Sequence, residues 1–222
     1  MQEQLTFDLP VDAAQGVADF LITPSNQAAM AIVDGWALWP NRKLVLAGAT
    51  GTGKTHLAHV WADMSGAEII QANQIGGTVI EALAGGSVVV ENVERIAGDR
   101  AAETALFHLH NLVLAEEGWL MLTANDAPSR WGLTLPDLRS RMEATTLARL
   151  DAPDDMLLSA VLVKLFDDRQ ISVNANLVEY LLPRMERSLA AAAQMVEALD
   201  RMALAEKRPV TRALAQRLFG AE

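Results

Sequence analysis

The segment GATGTGKT, at positions 48–55, constrains the fold of this chain more than any other stretch. It satisfies the pattern G-x-x-x-x-G-K-[ST] at every fixed position. The apolar run KLVLAG leads into it and predicts a buried strand, and THLAHVWADM at its end predicts a helix. A phosphate-binding loop needs this order, because its backbone N–H groups and the first turn of the helix must face the phosphates. We therefore predict an α/β fold that holds a nucleotide.

The residue types in this segment each suit a phosphate ligand. The glycines let backbone N–H groups approach the phosphates, and the lysine can reach the β- and γ-phosphates. The threonine hydroxyl can bind Mg²⁺. An ordinary glycine-rich turn, which is the alternative, requires neither the lysine nor the hydroxyl. The candidate nucleotide-binding residues are Gly48, Ala49, Thr50, Gly51, Thr52, Gly53, Lys54 and Thr55, the last of which is also a candidate metal ligand.

Another predicted strand, in the residues SVVVENVE at positions 87–94, ends in an acid. Glu91 is placed to supply a carboxylate to the metal, through a water. Asn92 follows, at a position where an acid that prepares the attacking water is common, and an amide accepts no proton at neutral pH. Asp99 and Glu94 lie beyond the strand tip, where we expect solvated surface. The sequence therefore predicts a site that holds a nucleotide well and cleaves it poorly.

Polar residues also follow the later part of the predicted sheet. Asn125 ends the strand WLMLTAN and Asp126 follows it. Either could orient a water or touch the γ-phosphate, and a turn-forming pair is the alternative. Arg139 and Arg141 occur in LPDLRSRM, and Arg187 opens a helix in RMERSLAAA. Each arginine could instead be a solvated surface charge, which is the usual position of this residue type.

Strands alternate with helices as far as Asp151, which predicts a parallel sheet with helices on both faces. Past Pro153 only helical patterns follow. The predicted strands are 43–48, 67–73, 87–92, 119–125 and 144–150, and helices are expected at 27–38, after the loop, in IGGTVIEALAG and at 100–117. The predicted domains are a flexible tail (1–19), a nucleotide-binding base (20–152) and a small all-helical lid (153–222).

The composition of the chain excludes several classes of function. Its net charge is −10 and its pI about 4.9, which argues against DNA binding through Lys and Arg. It contains no cysteine, so disulfides, thiolate zinc sites and a cysteine nucleophile are excluded. The N-terminus lacks a secretory signal, and no apolar run reaches the roughly 20 residues of a membrane helix. We expect a cytoplasmic protein without membrane insertion or direct sequence-specific DNA binding.

Five segments taken in order, GATGTGKTH, VVVEN, LTAND, LPDLRSRM and ERSL, resemble the AAA+ ATPases, within the initiator clade around the bacterial replication initiator DnaA. ENVERIAGD and LPDLRSRM are most similar to the Hda family of DnaA-related regulators. The resemblance runs from about Phe20 to Phe219, and it implies an AAA+ P-loop sheet followed by a helical lid. DnaA continues into a helix-turn-helix DNA-binding domain, for which we expect no counterpart here.

The resemblance also implies roles for individual residues. Glu91 occupies the Walker B position, and Arg141 matches the arginine finger that acts on a neighbour's nucleotide. Arg187 matches the lid arginine, sensor 2, that senses the bound nucleotide. Asn125 or Asp126 matches sensor 1, with an ambiguity of one residue. ADP or ATP with Mg²⁺ is the implied cofactor, and a homo-oligomer is compatible with the family.

The tail segment Gln4-Leu5-Thr6-Phe7-Asp8-Leu9 is similar to the short peptide by which such regulators bind the replicative sliding clamp, the β subunit of DNA polymerase III. A flexible tail offers a glutamine for hydrogen bonding and apolar side chains for a hydrophobic pocket, which suits a weak and exchangeable contact. The alternative is a tail with chance apolar residues. The candidate contacts are Gln4, Leu5, Phe7 and Leu9.

Together these features imply a negative regulator of replication initiation. Arg141 would act beside ATP bound to DnaA and promote its hydrolysis, and clamp binding would restrict this reaction to DNA that is being copied. One alternative is a self-standing AAA+ ATPase that loads or remodels a replication partner. Another is an adaptor whose bound nucleotide is structural and is not hydrolysed.

Overall fold

A parallel sheet of five strands lies at the centre of the first part of the chain in the computed structural model, which describes residues 21–83 and 85–220. The order of its strands is β2-β3-β4-β1-β5, and every neighbouring pair is parallel. The strands are β1 (Lys43–Ala47), β2 (Glu68–Gln71), β3 (Val88–Glu91), β4 (Leu120–Ala124) and β5 (Thr146–Arg149). This confirms the predicted fold class. The candidate clamp contacts Gln4, Leu5, Phe7 and Leu9 lie outside the described residues.

Four helices cover the sheet on both faces, namely α1 (Gln27–Asp34), α2 (Lys54–Ser65), α3 (Arg100–Ala115) and α4 (Pro136–Glu143). Successive residues of β1 point to opposite faces, as the pleat requires. Leu44 and Leu46 pack in the cluster formed with α1 and α2, whereas Val45 packs in the cluster formed with α3 and α4. Burial on both faces explains why the three central strands, β1, β3 and β4, are largely apolar runs.

The strand order determines which loops meet at the carboxyl edge of the sheet. Because β1 is the neighbour of β4, the loop that follows Ala47 lies beside the tip of β4. β3 lies on the other side of β4, and β2 lies beyond β3. In open α/β sheets, ligands bind at this edge where the chain connections change direction. We therefore expect a ligand-binding site at the carboxyl ends of β1, β4 and β3.

Two of the predicted helices differ from the observed structure. The first ends at Asp34 and is followed by a 3-10 turn over Trp36–Leu38, because Gly35 interrupts it. The described residues of IGGTVIEALAG form no continuous helix, and most of them lie in two 3-10 turns, Ala72–Gly77 and Ile80–Leu83. Adjacent glycines followed by β-branched residues disfavour a continuous helix, which accounts for the second difference.

A second, helical part follows β5 and has a hydrophobic core of its own. It consists of α5 (Asp155–Asp167), α6 (Ala175–Leu181), α7 (Leu189–Glu206) and α8 (Arg212–Gly220). Asp154, Asn174 and Ser188 cap the first three of these helices, each accepting a backbone N–H from the first turn. This confirms the predicted all-helical lid.

A buried carboxylate on α3 fixes the segment that leads into α4. Glu103 has no exposed surface, and it accepts hydrogen bonds from the backbone N–H groups of Gly98, Thr134 and Leu135 and from the Thr134 hydroxyl. Burial acts to raise the pKa of Glu103, but these hydrogen bonds outweigh it, so the pKa lies below its ordinary value. Glu103 therefore holds the start of α4 in place as a charged group.

We predict that Glu103→Gln lowers the free energy of unfolding at pH 7 by about 1–3 kcal/mol, because an amide cannot accept from all of these donors. The wild-type advantage should be complete above the ordinary carboxyl pKa of 4.5 and decline as the pH falls through the lower folded-state value. Urea unfolding at pH 7 and at progressively lower pH measures both effects. Glu116→Gln, at the exposed end of the same helix, is the control. Equal stabilities of the two variants at pH 7 would contradict the prediction.

Candidate functional site

The loop between β1 and α2 has the backbone geometry of a phosphate cradle. Gly51 and Gly53 have φ angles of +78° and +102°, in the left-handed region that side chains disfavour. Lys54 follows directly as the first residue of α2, so the unpaired N–H groups of that helix face the loop. The strand, loop and helix therefore stand in the order that the sequence predicts.

The ammonium of Lys54 is held inside this loop. Its Nζ donates to the carbonyl oxygens of Gly48 at 2.7 Å and Ala49 at 3.0 Å, and to Oδ1 of Asn125 at 3.1 Å. Burial lowers the pKa of Lys54, and the carboxylates of Glu94 and Glu91 act in the opposite direction. All three acceptors are polar oxygens, so phosphate oxygens can replace them when a nucleotide binds.

Three side chains form a network where β2 and β3 end. The Gln71 amide donates to Oε2 of Glu91 at 2.6 Å and accepts from Nδ2 of Asn92 at 2.9 Å. Asn92 is in the left-handed region with φ +59°, and its backbone N–H donates to the Thr123 hydroxyl. Sequence reasoning missed Gln71, because only the pairing of Gln71 with Glu91 across β2 and β3 brings the two together.

The geometry also contradicts one expectation about a surface residue. Glu94 is not merely a solvated charge: its Oε1 accepts the backbone N–H of Asn125 at 3.2 Å, and its Oε2 is buried without a hydrogen-bond partner. The turn over Val93–Ile96 carries the side chain back to the sheet edge, which spacing along the chain does not reveal. Asp99 is exposed, and it caps α3 by accepting from its first backbone N–H groups.

The structure distinguishes the two polar residues after β4. Asn125 contacts the phosphate loop, since its Oδ1 accepts from Lys54 and from the Thr50 hydroxyl at 3.4 Å. Asp126 pairs instead with Arg130 at 3.3 Å in an exposed position. Of the pair, only Asn125 is placed to respond to a phosphate in the loop.

The lid touches the phosphate loop through the start of α7. The backbone N–H of Leu189 donates to the Gly51 carbonyl at 2.7 Å, and an added Cβ at Gly51 would lie 2.6 Å from Cβ of Ser188. Arg187 is adjacent in sequence, but its guanidinium binds the Asp155 carboxylate at 2.7 Å and the Pro153 carbonyl at 3.2 Å. Arg187 is thus beside the loop without contacting it in this arrangement.

Arg141 lies apart from the loop, at the exposed end of α4. Its guanidinium stands 5.2 Å from the centre of the Phe107 ring on α3, within the range of a cation–π contact. Its backbone carbonyl accepts from the buried Lys43 ammonium at 3.0 Å, which in turn contacts His110. Burial and the neighbouring Lys43 charge lower the pKa of His110 to about 4, so the ring is neutral at pH 7. The backbone of Arg141 is therefore held by Lys43, while its guanidinium stays accessible to a partner protein.

The residues around the loop fit a Mg²⁺ ion that is bound together with phosphates. Oε1 of Glu91 is buried and has no hydrogen-bond partner, and Thr55 is exposed at the first turn of α2. In the described part of the chain, no group of three acidic or histidine side chains could hold a metal alone. Mg²⁺ commonly takes only one or two protein ligands and completes its shell with phosphate and water.

Comparison with known proteins gives a family match for the lid and a fold for the whole chain. Residues 155–218 match the family model described as "Hda, lid domain". Domain III of the DnaA replication initiation protein from Thermotoga maritima is 17% identical, with a TM-score of 0.82 over 96% of this chain and 98% of that one. AMPPCP-bound DnaA from Aquifex aeolicus is 16% identical, with a TM-score of 0.68 over 82% of this chain and 64% of that one.

Another solved structure of the same fold is the RuvB Holliday junction branch migration motor of Thermotoga maritima. It is 17% identical, with a TM-score of 0.65 over 87% of this chain and 65% of that one. The chain thus spans less than two thirds of this motor and of the Aquifex protein, but nearly all of the single DnaA domain. Over the described residues, no helix is long and apolar enough to cross a membrane.

Proposed function

We propose that this chain is a DnaA-related AAA+ protein of the Hda family, and that it is a negative regulator of replication initiation that promotes ATP hydrolysis by DnaA. The match of residues 155–218 to an Hda lid domain and the fold shared with domain III of DnaA support this proposal. The observation that carries the proposal is the exposed guanidinium of Arg141, presented at the end of α4 on a chain with such a lid. An arginine supplied to another molecule's nucleotide stabilises the charge of the transferring phosphoryl group.

Its own nucleotide site binds ADP or ATP with Mg²⁺. The loop with Lys54 holds the phosphates, and Thr55 and Glu91 are the groups that would hold the ion. The ion would neutralise charge between the phosphates. Asn125 contacts the loop and acts as sensor 1, and Arg187 exchanges Asp155 for a phosphate and acts as sensor 2. Adenine is favoured over guanine because a protein of the same fold is bound to AMPPCP.

Hydrolysis at this site is slow compared with ordinary enzymes. Asn92 provides no general base, and its side-chain amide donates a hydrogen bond to Gln71. The useful reaction therefore takes place on DnaA, where Arg141 approaches the bound ATP. Hydrolysis converts the initiator to its ADP form. The contact with the sliding clamp, made by the tail, confines this hydrolysis to DNA that is being copied.

A single assay tests this function: loss of ATP preloaded on DnaA, measured with and without this protein and a DNA-loaded clamp. We expect hydrolysis to rise only when all components are present. A turnover of about 1 s⁻¹ or faster by the isolated protein, within the ordinary enzyme range, would favour a self-standing remodelling ATPase. Nucleotide binding without any effect on DnaA would favour an adaptor.

The tail prediction follows from the short motif near the N-terminus. Replacing Gln4, Leu5 and Phe7 by Ala should abolish clamp binding, because it removes the glutamine and two apolar groups that the motif offers to a pocket. The melting temperature should stay the same. Surface plasmon resonance on immobilised clamp measures the first effect, and Thr6→Ala is the control. Full affinity in the triple variant would show that the clamp contact lies elsewhere.

A further inference from the structure

Lys43 is a buried cation at the amino end of β1. It opens the strand KLVLA, whose other residues are all apolar, and it is only 6% exposed. Within the described ranges, 21–83 and 85–220, its hydrogen-bond partners are a ring nitrogen of His110 and the carbonyl oxygen of Arg141, and no carboxylate accepts from it. Burying an ammonium without an acid is unfavourable. The stability of the fold therefore does not explain a lysine at this position.

The neighbours of His110 determine which of its ring nitrogens carries the proton. Burial and the Lys43 charge lower the pKa of His110 to about 4, so the ring is neutral at pH 7. Because an ammonium can only donate, Nε2 accepts from Lys43 at 3.3 Å. Nδ1 then carries the proton and donates to Oδ1 of Asn111 at 3.2 Å. His110 thus orients the ammonium without neutralising its charge.

The carbonyl oxygen of Arg141 lies in the last turn of α4, where helix carbonyls run out of backbone donors. The backbone N–H groups of Ala144 and Thr145 donate to other carbonyls of this turn. Side chains supply the missing donors, namely Lys43 Nζ at 3.0 Å and the Thr145 hydroxyl at 2.8 Å. The hydroxyl belongs to the same turn, but the ammonium comes from β1. Lys43 therefore ties the end of α4 to the sheet.

We infer that Lys43 is a positioning residue for Arg141: by fixing the last turn of α4, it directs the exposed guanidinium toward the nucleotide of a partner molecule. The inference rests on the proposed action of Arg141 on DnaA. The direction of a helical side chain follows from its backbone, so a fixed turn limits where the guanidinium can reach. Burial and the Arg141 charge lower the pKa of Lys43, so the two like charges interact. Their repulsion disfavours a guanidinium that folds back over its own carbonyl.

The place of Lys43 in β1 separates this role from the nucleotide loop of the same chain. The loop follows Ala47 at the carboxyl end of β1, whereas Lys43 is at the amino end. A strand rises about 3.3 Å per residue, so these ends are roughly 13 Å apart. Removal of the Lys43 ammonium should therefore leave ATP binding by this chain unchanged, while it weakens the reaction that Arg141 promotes.

Lys43→Met tests the inference, because methionine fills most of the buried space and has no N–H to donate. The measurement is the hydrolysis of ATP preloaded on DnaA, with loaded clamp, over a range of variant concentrations. A misplacement of about 1 Å can cost about a hundredfold in rate, so we expect the maximum rate to fall about tenfold to a hundredfold. The concentration that gives half of the maximum rate should stay as in the wild type, as should the ATP affinity of this chain by calorimetry.

The maximum rate distinguishes positioning from folding. A partly unfolded variant contains fewer active molecules, so more of it is needed, but at saturation each DnaA molecule still meets a correctly placed arginine. Order parameters from ¹⁵N relaxation of the backbone amides of 142–145 report directly on the end of α4. They should fall in Lys43→Met. A lower maximum rate with unchanged order parameters would assign the effect to the lost charge and overturn the inference.

Lys164→Met is the matched control, because it removes an ammonium that pairs with Asp168 within the lid. It should keep the wild-type rate and order parameters. If Lys43→Met does not fold, the double variant Lys43→Met/His110→Phe replaces both polar partners by apolar groups, which leaves no ring nitrogen unpaired. The same fall in maximum rate is then expected of the double variant. A wild-type maximum rate in whichever of these two variants folds overturns the inference, as does a change confined to the half-saturating concentration.

The same titrations show which idea fails. A wild type that does not stimulate hydrolysis on DnaA contradicts the proposed function and, with it, the role of Lys43. A wild type that stimulates hydrolysis, together with a Lys43→Met variant that stimulates it equally, contradicts only the role of Lys43.

Discussion

Arg141→Ala should leave this protein folded and bound to nucleotide and clamp, yet unable to stimulate ATP hydrolysis on DnaA. The guanidinium is exposed, so its removal exposes no buried group, and the contact that is lost is the one with Phe107. An arginine supplied in trans is worth about 10³–10⁵-fold in rate, and the variant should lose most of that factor. The measurement is single-turnover hydrolysis of ATP preloaded on DnaA, with the variant and loaded clamp in excess.

Two further variants make this experiment specific. Arg141→Lys should fail nearly as badly, because an ammonium keeps the charge but cannot grip two phosphate oxygens at once. Arg139→Ala should cost much less, since residues two apart on α4 point about 200° apart around the helix axis. If position on the surface were all that mattered, Arg139 and Arg141 would behave alike. Wild-type stimulation by Arg141→Ala would refute the trans-arginine mechanism.

Lys54→Ala should weaken ATP and ADP binding by at least about a hundredfold, which corresponds to about 3 kcal/mol. The ammonium provides charge-assisted hydrogen bonds to phosphate, and the loop's backbone N–H groups cannot replace its charge. In the wild type, Lys54 is already positioned inside the loop by three oxygen acceptors. Titration calorimetry with each nucleotide and Mg²⁺ measures the affinity.

Lys164→Ala, on α5 of the lid, provides the control for loss of a lysine elsewhere. Circular dichroism must show that Lys54→Ala remains folded, because Lys54 is buried in the loop. Under those conditions, unchanged affinity in Lys54→Ala would show that nucleotide is held without this lysine. No binding of ATP or ADP to the wild type would remove the proposed site altogether.

The sheet was predictable from sequence because its three central strands, β1, β3 and β4, are buried on both faces. Such strands are largely apolar runs, and together with the two edge strands they alternate with helices or turns. The loop was predictable because glycine, lysine and threonine occur at fixed spacing between a strand and a helix. The residues of IGGTVIEALAG were predicted wrongly, because an apolar spacing close to helical outweighed the local effect of paired glycines.

Contacts between strand tips could not be predicted, because they depend on which strands become neighbours. Gln71 meets Glu91 only through the pairing of β2 with β3. Glu94 meets Asn125 only because β3 pairs with β4 and the turn after β3 folds back. The choice between Asn125 and Asp126 likewise needed the direction of each side chain at the end of β4.

The hydrogen bond from the Leu189 N–H to the Gly51 carbonyl makes lid orientation and loop conformation a linked equilibrium. A protein that binds the lid and favours a different angle of α7 must also change the affinity of the loop for nucleotide. Linkage requires the converse, and by the same factor: nucleotide alters the affinity of the lid for that protein. A protein docked on the lid would therefore respond to a nucleotide in the loop without touching the phosphates.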